Sequence, residues 1–354
     1  MENLSLDASR LDGEMVGLGC TECPIRDLCG GWTRVGGGWS CESVCAHCDA
    51  NTCDKVCLRK ASIATDLREV GGLHDRDIGQ FNQSGLTAGL PRYIPVIYNG
   101  SGRMKKLRVP WAAVPIDSLI RKPCGQPAIG FSDVSSLLRD LKLCEGTKLF
   151  LSGIRKDKYI EEYWRWRKVS KMVDALAHLN LHGAVTPNYS LSLLHPRPQH
   201  LFNRKRILIC GDEWSQAGIP AIPCLQAVTS ADYDYWLDFL RRHPEIFIVC
   251  QEFQTGGAKR ERGTIALQRY ASLQSDLNRP LHFVAVAGYK YRHLLRKYFN
   301  SWTVVDSAPF IKAQKHQKLQ WTGHGIRWIP ARAHSVADLL EFNILNRMKV
   351  IDYV

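Results

Sequence analysis

The chain has 354 residues, 45% hydrophobic and 23% charged, a composition that excludes a disordered, collagenous or coiled-coil protein. No apolar run approaches the roughly 20 residues needed to cross a bilayer, and the polar start MENLSLDASRLDGE does not read as a signal peptide, so no membrane association and a reducing, cytoplasmic compartment are expected. Forty-seven basic against 34 acidic residues leave a net charge of +13, an excess that points to a polyanionic partner, namely nucleic acid, with DNA favoured over RNA.

Residues 1–60 form the first expected unit, a small cysteine-rich metal-binding module. Eight of the 13 cysteines fall here: Cys20, Cys23, Cys29, Cys41, Cys45, Cys48, Cys53 and Cys57. The glycine-rich stretch GGWTRVGGGW between them forms neither a helix nor an ordinary strand, so ligation must organise it. Eight thiolates fill two four-cysteine zinc sites or ligate [4Fe-4S] clusters equally well. The stretch CTECPIRDLCGG resembles the auxiliary-cluster domains appended to radical-SAM enzymes, and CESVCAHC matches the spacing of the radical-SAM motif itself. Its order along the chain, and His47 where that motif usually carries an aromatic residue, depart from the family.

Residues 61–92, polar and glycine-containing, read as a linker or surface loop. From residue 93 onward short Val/Ile/Phe-rich runs recur: YIPVIY, WAAVPI, KLFLSG, GAVTPN, RILICG, AIPCLQ, EIFIVCQEF, LHFVAVAG, SWTVVDS and GIRWIP. Amphipathic stretches, among them 157–179, 232–243, 264–277 and 291–299, separate several of them. Alternation of strand and helix, with strands apolar on both faces, predicts an α/β fold with a parallel sheet. The number of units predicts a (β/α)8 TIM-like barrel over residues 93–354.

Catalytic groups of such barrels sit at the carboxyl ends of the strands. Glu252 and Asp306 each close an apolar run and are the candidate catalytic pair. One would stay ionised as nucleophile or cation stabiliser while the other handles protons. For Asp306, before Ser-Ala-Pro, a helix N-cap is the competing role. Asn188, Ser190 and Gln254 are candidates for reading a base. Arg197, Asn203, Arg204 and Arg206, in a proline-bounded basic stretch, are expected to clamp phosphate from a rigid loop, and Lys312 and Lys315 to add to it. The aromatic–basic stretch KDKYIEEYWRWRK reads as an amphipathic helix, half core and half surface.

The segments VTPNYSLSLLHPRP…NRKR and AGIPAIP resemble an uncharacterised bacterial and phage family that carries a Pro-(Asp/Asn)-aromatic-Ser motif, over residues 93–330. More distantly the layout is similar to the barrels of tRNA-guanine transglycosylases and of enzymes that excise DNA bases, whose zinc signature this chain lacks. That resemblance implies a barrel in which a strand-end carboxylate works against a glycosidic carbon. The leading expectation is therefore an enzyme for base excision or base exchange at an N-glycosidic bond of nucleic acid, in phage defence or DNA modification. The alternatives are an iron–sulfur, radical-SAM-like redox enzyme and a non-catalytic nucleic-acid-binding subunit.

Overall fold

The computed structural model describes residues 69–86, 89–191, 197–228, 230–254, 260–322 and 325–353. The eight cysteines from Cys20 to Cys57, and with them the expected metal module, lie outside these residues.

The fold is mixed α/β with parallel sheets. Strand β1 (Tyr93–Pro95) is followed by β2 (Trp111–Pro115), helix α1 (Val134–Asp140) and β3 (Lys148–Ser152). Helices α2 (Asp157–Trp166) and α3 (Met172–Ala177) lead to β4 (Gly183–Val185), then α4 (Arg197–Gln216) and β5 (Ala221–Ile222). Next come α5 (Ser230–Arg242), β6 (Ile248–Glu252), α6 (Arg260–Leu277) and β7 (His282–Val286). Helix α7 (Arg292–Tyr298), β8 (Ser301–Asp306) and α8 (Ala308–Gln314) follow. The hairpin β9 (Gln317–Thr322) and β10 (Gly325–Pro330) precedes the last helix, α9 (Val336–Tyr353).

Local chemistry accounts for these elements. Asp133 and Ser136 close a reciprocal capping box at the start of α1. Helix α2 buries Ile160, Tyr163 and Trp164, the one-face spacing expected of an amphipathic helix, with Asp157 in its first turn and Arg165 in its last. In α5, Trp236, Phe239 and Leu240 repeat that pattern.

Two four-stranded sheets, ordered β1-β8-β7-β6 and β2-β3-β4-β5, are parallel throughout. Single parallel bridges, Val96 to Ala113 and Cys224 to Cys250, join them, so all eight strands run the same way. An inner core lies between the sheets and draws on every strand, through Ile94, Ala113, Phe150, Val185, Ile222, Ile248, Val284 and Val305. The outer core packs the helices against the opposite faces. Because both faces are covered, the strands are near-continuous apolar runs.

Three expectations are corrected. The run RILICG is not a strand but the middle of α4. That helix is buried on nearly every side, so its sequence lacks the one-sided period that marks a helix. GIRWIP becomes β10, antiparallel to β9 and outside the parallel sheets. Residues 69–86 are neither linker nor surface loop: Val70, Leu73, Ile78 and Phe81 join the outer core and Leu86 the inner one. Gln83 is fastened hardest. Its Nε2 donates to the carbonyls of Ala221 and Ile248, both at 2.9 Å, and its Oε1 accepts the N–H groups of Phe247 and Ile248 at 3.0 and 2.9 Å. It thereby ties β5 to β6, where the strands share one backbone bridge. Among the described residues no helix is long and apolar enough to cross a membrane.

Candidate functional site

Alternation along β6 decides where its carboxylate goes. Ile248 and Cys250 belong to the inner core, whereas Gln251 receives the hydroxyl of Tyr270 on α6 at 3.0 Å. Two residues beyond Cys250, Glu252 therefore falls on the inner side, at the carboxyl end of the strand. Only 6% of it is exposed, and its Oε2 accepts the N–H of Gln254 at 2.7 Å. Gln254 itself is exposed.

Glu252 lies within electrostatic reach of the Cys250 thiol. Cys224 faces Cys250 across the junction of the sheets, and Gln226 Nε2 lies 3.7 Å from Cys224 Sγ. Burial, then the hydrogen bond and charge of Cys224 and the charge of Glu252, push the Cys250 thiol well above its ordinary pKa. It is a neutral thiol at neutral pH. Just past β7, Ala287 takes a left-handed φ of +57°, a conformation rare outside glycine. The next residue must be glycine, because a Cβ on Gly288 would sit 2.5 Å from that of Ala285.

A second polar group stands at the ends of β1 to β4. Arg155 pairs with Asp117 through two contacts, Nε to Oδ1 at 2.6 Å and Nη2 to Oδ2 at 2.7 Å. Its guanidinium lies 5.2 and 5.0 Å from the ring centres of Tyr98 and Tyr159, within cation–π range. Its backbone N–H donates to Asn188 Oδ1 at 2.9 Å. Asp117 and Tyr98 escaped sequence reasoning; the available signal was their position directly after the runs WAAVPI and YIPVI.

Asp306 does not join Glu252. Val304 is part of the outer core and Val305 of the inner one, so Asp306 falls on the outer, helix-bearing side. Its Oδ1 accepts the N–H of Ala308, the first residue of α8, at 2.9 Å, while the N-cap position itself is Ser307. Its Oδ2 accepts the Tyr93 hydroxyl at 3.3 Å and lies 3.2 Å from Nε of Arg347 on α9. The expected carboxylate pair is thus split across the strand layer, and Asp306 holds two helices and a strand together.

The expected phosphate clamp is also corrected, because residues 197–206 are helix rather than loop. Arg204 is 3% exposed; it lies 3.5 Å from Asp232 and its guanidinium 3.4 Å from the Tyr235 ring centre. Arg206 is equally buried, forks onto Glu161 at 2.7 and 2.9 Å, and covers Tyr189 at 3.8 Å. Asn203 donates to the carbonyl of Ser190 at 2.6 Å and accepts from Arg206 at 2.7 Å, while the Ser190 hydroxyl donates to Asp157 at 2.7 Å. These side chains bind one another. The side chain of Arg197 lies outside the described residues. Lys312 is half-buried on α8 and Lys315, just beyond it, is exposed.

Among the described residues no three His, Cys, Asp or Glu side chains are placed to hold a metal ion. A shallow surface pocket of about 630 Å³ is lined by Arg121, Lys122, Phe131 and their neighbours, and none of the residues above lines it. No protein-family model matches the chain, and no curated protein or solved structure is significantly similar to it.

Proposed function

We propose that the eight parallel strands close into a (β/α)8 barrel, and that the carboxyl-end face of this barrel is the reaction site of an enzyme acting on an N-glycosidic bond of nucleic acid. Closure is supported by the bridges at both junctions of the sheets and by an inner core that every strand supplies. The observation that carries the function is the placement of Glu252: one buried carboxylate on the inner side of a strand end, held by the main chain that follows it. Catalytic groups of barrels occupy that position. The net charge of +13 favours a polyanionic substrate, DNA before RNA.

The chemistry needs one carboxylate. With the base extruded from its strand, Glu252 stabilises the cationic sugar that develops as the C1′–N bond breaks, or bonds to C1′. The base departs with the electron pair of the C1′–N bond and takes a proton from solvent water. Water, or a second base, then bonds to C1′, gives up its own proton to solvent and, where Glu252 had bonded there, releases the carboxylate. Asn188 and Gln254 remain the proposed base-reading groups. The cysteines of residues 20–57 would hold two zinc ions or iron–sulfur clusters, and an iron–sulfur centre would favour the redox alternative.

The test is base release, read by mass spectrometry, from oligonucleotides carrying modified and unmodified bases. The expected result is release by the native chain and a loss of at least about 100-fold in Glu252→Gln, the scale on which general acid–base and charge-stabilising groups act, with oligonucleotide affinity retained. Turnover unchanged in Glu252→Gln would remove Glu252 from the mechanism.

A further inference from the structure

Strands β1, β2, β3 and β4 are consecutive neighbours, and each is followed within three residues by one member of a polar cluster: Tyr98, Asp117, Arg155 and Asn188. All eight strands run the same way, so the cluster stands at the same carboxyl-end face as Glu252, which ends β6 in the other sheet. The chemistry assigned to Glu252 leaves Tyr98, Asp117 and Arg155 without a task.

The nitrogens of Arg155 divide into held and open. Asp117 takes the edge formed by Nε and Nη2 and so fixes the plane of the guanidinium. Nη1 has no hydrogen-bond partner among the described residues and, unlike Nε, is not sealed from solvent. The hydroxyls of Tyr98 and Tyr159, whose rings lie in cation–π range of the same guanidinium, are open in the same way. So is Nδ2 of Asn188, whose Oδ1 holds the Arg155 N–H. Arg206 shows the opposite arrangement: both its terminal nitrogens are donated to Glu161 and its Nε is sealed. Of the two, Arg155 is the guanidinium that can meet a ligand, with its orientation already set and its side chain 21% exposed.

We infer that Arg155 is the phosphate contact of the reaction site, holding one phosphodiester of the nucleic-acid strand while Glu252 works on a sugar. Nη1 and the Tyr98 and Tyr159 hydroxyls donate to the phosphate oxygens, and Asp117 is the positioning residue that aims Nη1. The pair carries no net charge, so this contact sets the register of a strand that the +13 excess attracts. Asn188 then stands between the phosphate and the base it is proposed to read. The inference rests on the nucleic-acid reading above and names the strand contact of that same site.

The experiment is fluorescence anisotropy of the full chain with a labelled single-stranded oligodeoxynucleotide of about 20 nucleotides, repeated over a range of salt concentrations. Arg155→Gln is expected to weaken binding at least about tenfold and to make the slope of log affinity against log salt shallower by about one. Arg155→Lys, which keeps the charge without the fork, should keep the slope and recover part of the affinity. Tyr98→Phe and Tyr159→Phe should each cost about two- to fivefold. Arg296→Gln removes the same charge from an exposed position on α7 and should change affinity less than about twofold. Asp117→Asn with Arg155→Gln leaves no carboxylate without its cation, and it should show the same loss as Arg155→Gln even where that single variant is unstable. Undiminished affinity in Arg155→Gln and in the double variant would overturn the contact, and base release in the Glu252 variant would then decide the glycosidic reading by itself. Weaker binding with the native salt slope would mean that the pair only shapes the site, and would overturn it too. So would a melting point raised by about 10 mM inorganic phosphate but not by the oligonucleotide, which would give the donors to a free phosphate. No binding of the native chain to DNA or RNA would remove both readings together.

Discussion

One residue of register separates the two carboxylates that end β6 and β8. Glu252 shares the parity of Cys250 and turns inward; Asp306 shares that of Val304 and turns out to α9. Both close apolar runs, and in strands covered on both faces such a run carries no alternation from which to choose. The strand ends were therefore legible and the faces were not. With Arg347 and Asp306 both almost buried, Asp306→Asn is expected to cost about 3–5 kcal/mol, the usual consequence of breaking a buried pair. Urea denaturation measures it, and the folded fraction should keep its turnover. Unchanged stability with lost turnover would return Asp306 to the chemistry. A second residue, His282, makes stability depend on pH. Its Nε2 meets Thr303 Oγ1 at 2.8 Å and its Nδ1 meets Ser301 Oγ at 2.6 Å. The Thr303 hydroxyl is already donated to the carbonyl of Pro91, so its oxygen accepts from Nε2, which carries a proton. Burial, and then the charge of Arg92, lower the imidazole's pKa to about 4. The unfolded chain binds this proton at about pH 6.5 and the folded chain only near pH 4. The contribution is thus complete above about pH 6.5 and is lost as the pH falls towards 4, roughly 3 kcal/mol in all. Melting curves across that range should flatten in His282→Gln.

Helix α4 shows what pattern reading reaches at the level of the element. Around Ile207–Cys210 four apolar residues adjoin three cations, and the sequence suggests a strand after a basic loop. A helix surrounded by other elements looks the same, because its cations are neutralised by partners far away in sequence: Asp77 for Lys205, Glu161 for Arg206 and Asp232 for Arg204. The parallel strands were easier, since runs such as KLFLSG and LHFVAVAG are rich in strand-forming residues and bounded by turns. The hairpin was half legible: GIRWIP reads as a strand, but its antiparallel partner QKLQWT is polar enough to pass for a loop. Arg204→Met removes the cation beside Asp232, which is 1% exposed and keeps the N–H of Val228 at 2.9 Å, and should cost about 3–5 kcal/mol. Oligonucleotide affinity in the folded variant should stay within about twofold of native. A tenfold loss of affinity would mean that Arg204 meets phosphate after all.

For the molecule as a whole, an excess of +13 says little until the cations are divided by what they touch. Much of the basic side-chain inventory of α4 holds the fold together, whereas the cations of the β9–β10 region form no ion pair with any of the described residues. Net charge thus pointed to a class of partner without pointing to the surface that meets it. The cysteines form a second asymmetry: those described are single thiols or the Cys224–Cys250 pair, while eight are concentrated before residue 58. Protein purified without oxygen is expected to carry about two metal sites per chain. Elemental analysis with an absorption spectrum checks this: zinc leaves the solution colourless, and iron with sulfide absorbs near about 400 nm. Protein with neither metal would remove the module.

Gln83 gives the fold an unusual order of assembly. It contacts residues 138 and 165 positions further along the chain, and it does so where β5 and β6 hold each other least. Ordering so long a loop is slow, so this junction should be among the last parts to form and the first to breathe. The amide protons of Phe247 and Ile248, both donated to the Gln83 side chain, are its reporters. In Gln83→Ala they should exchange with solvent about 30 to several hundred times faster, in step with about 2–4 kcal/mol of lost hydrogen bonding. Amides in the middle of β7, one strand away, should exchange far less altered, so a segment that precedes every strand sets how often the junction of the two sheets opens.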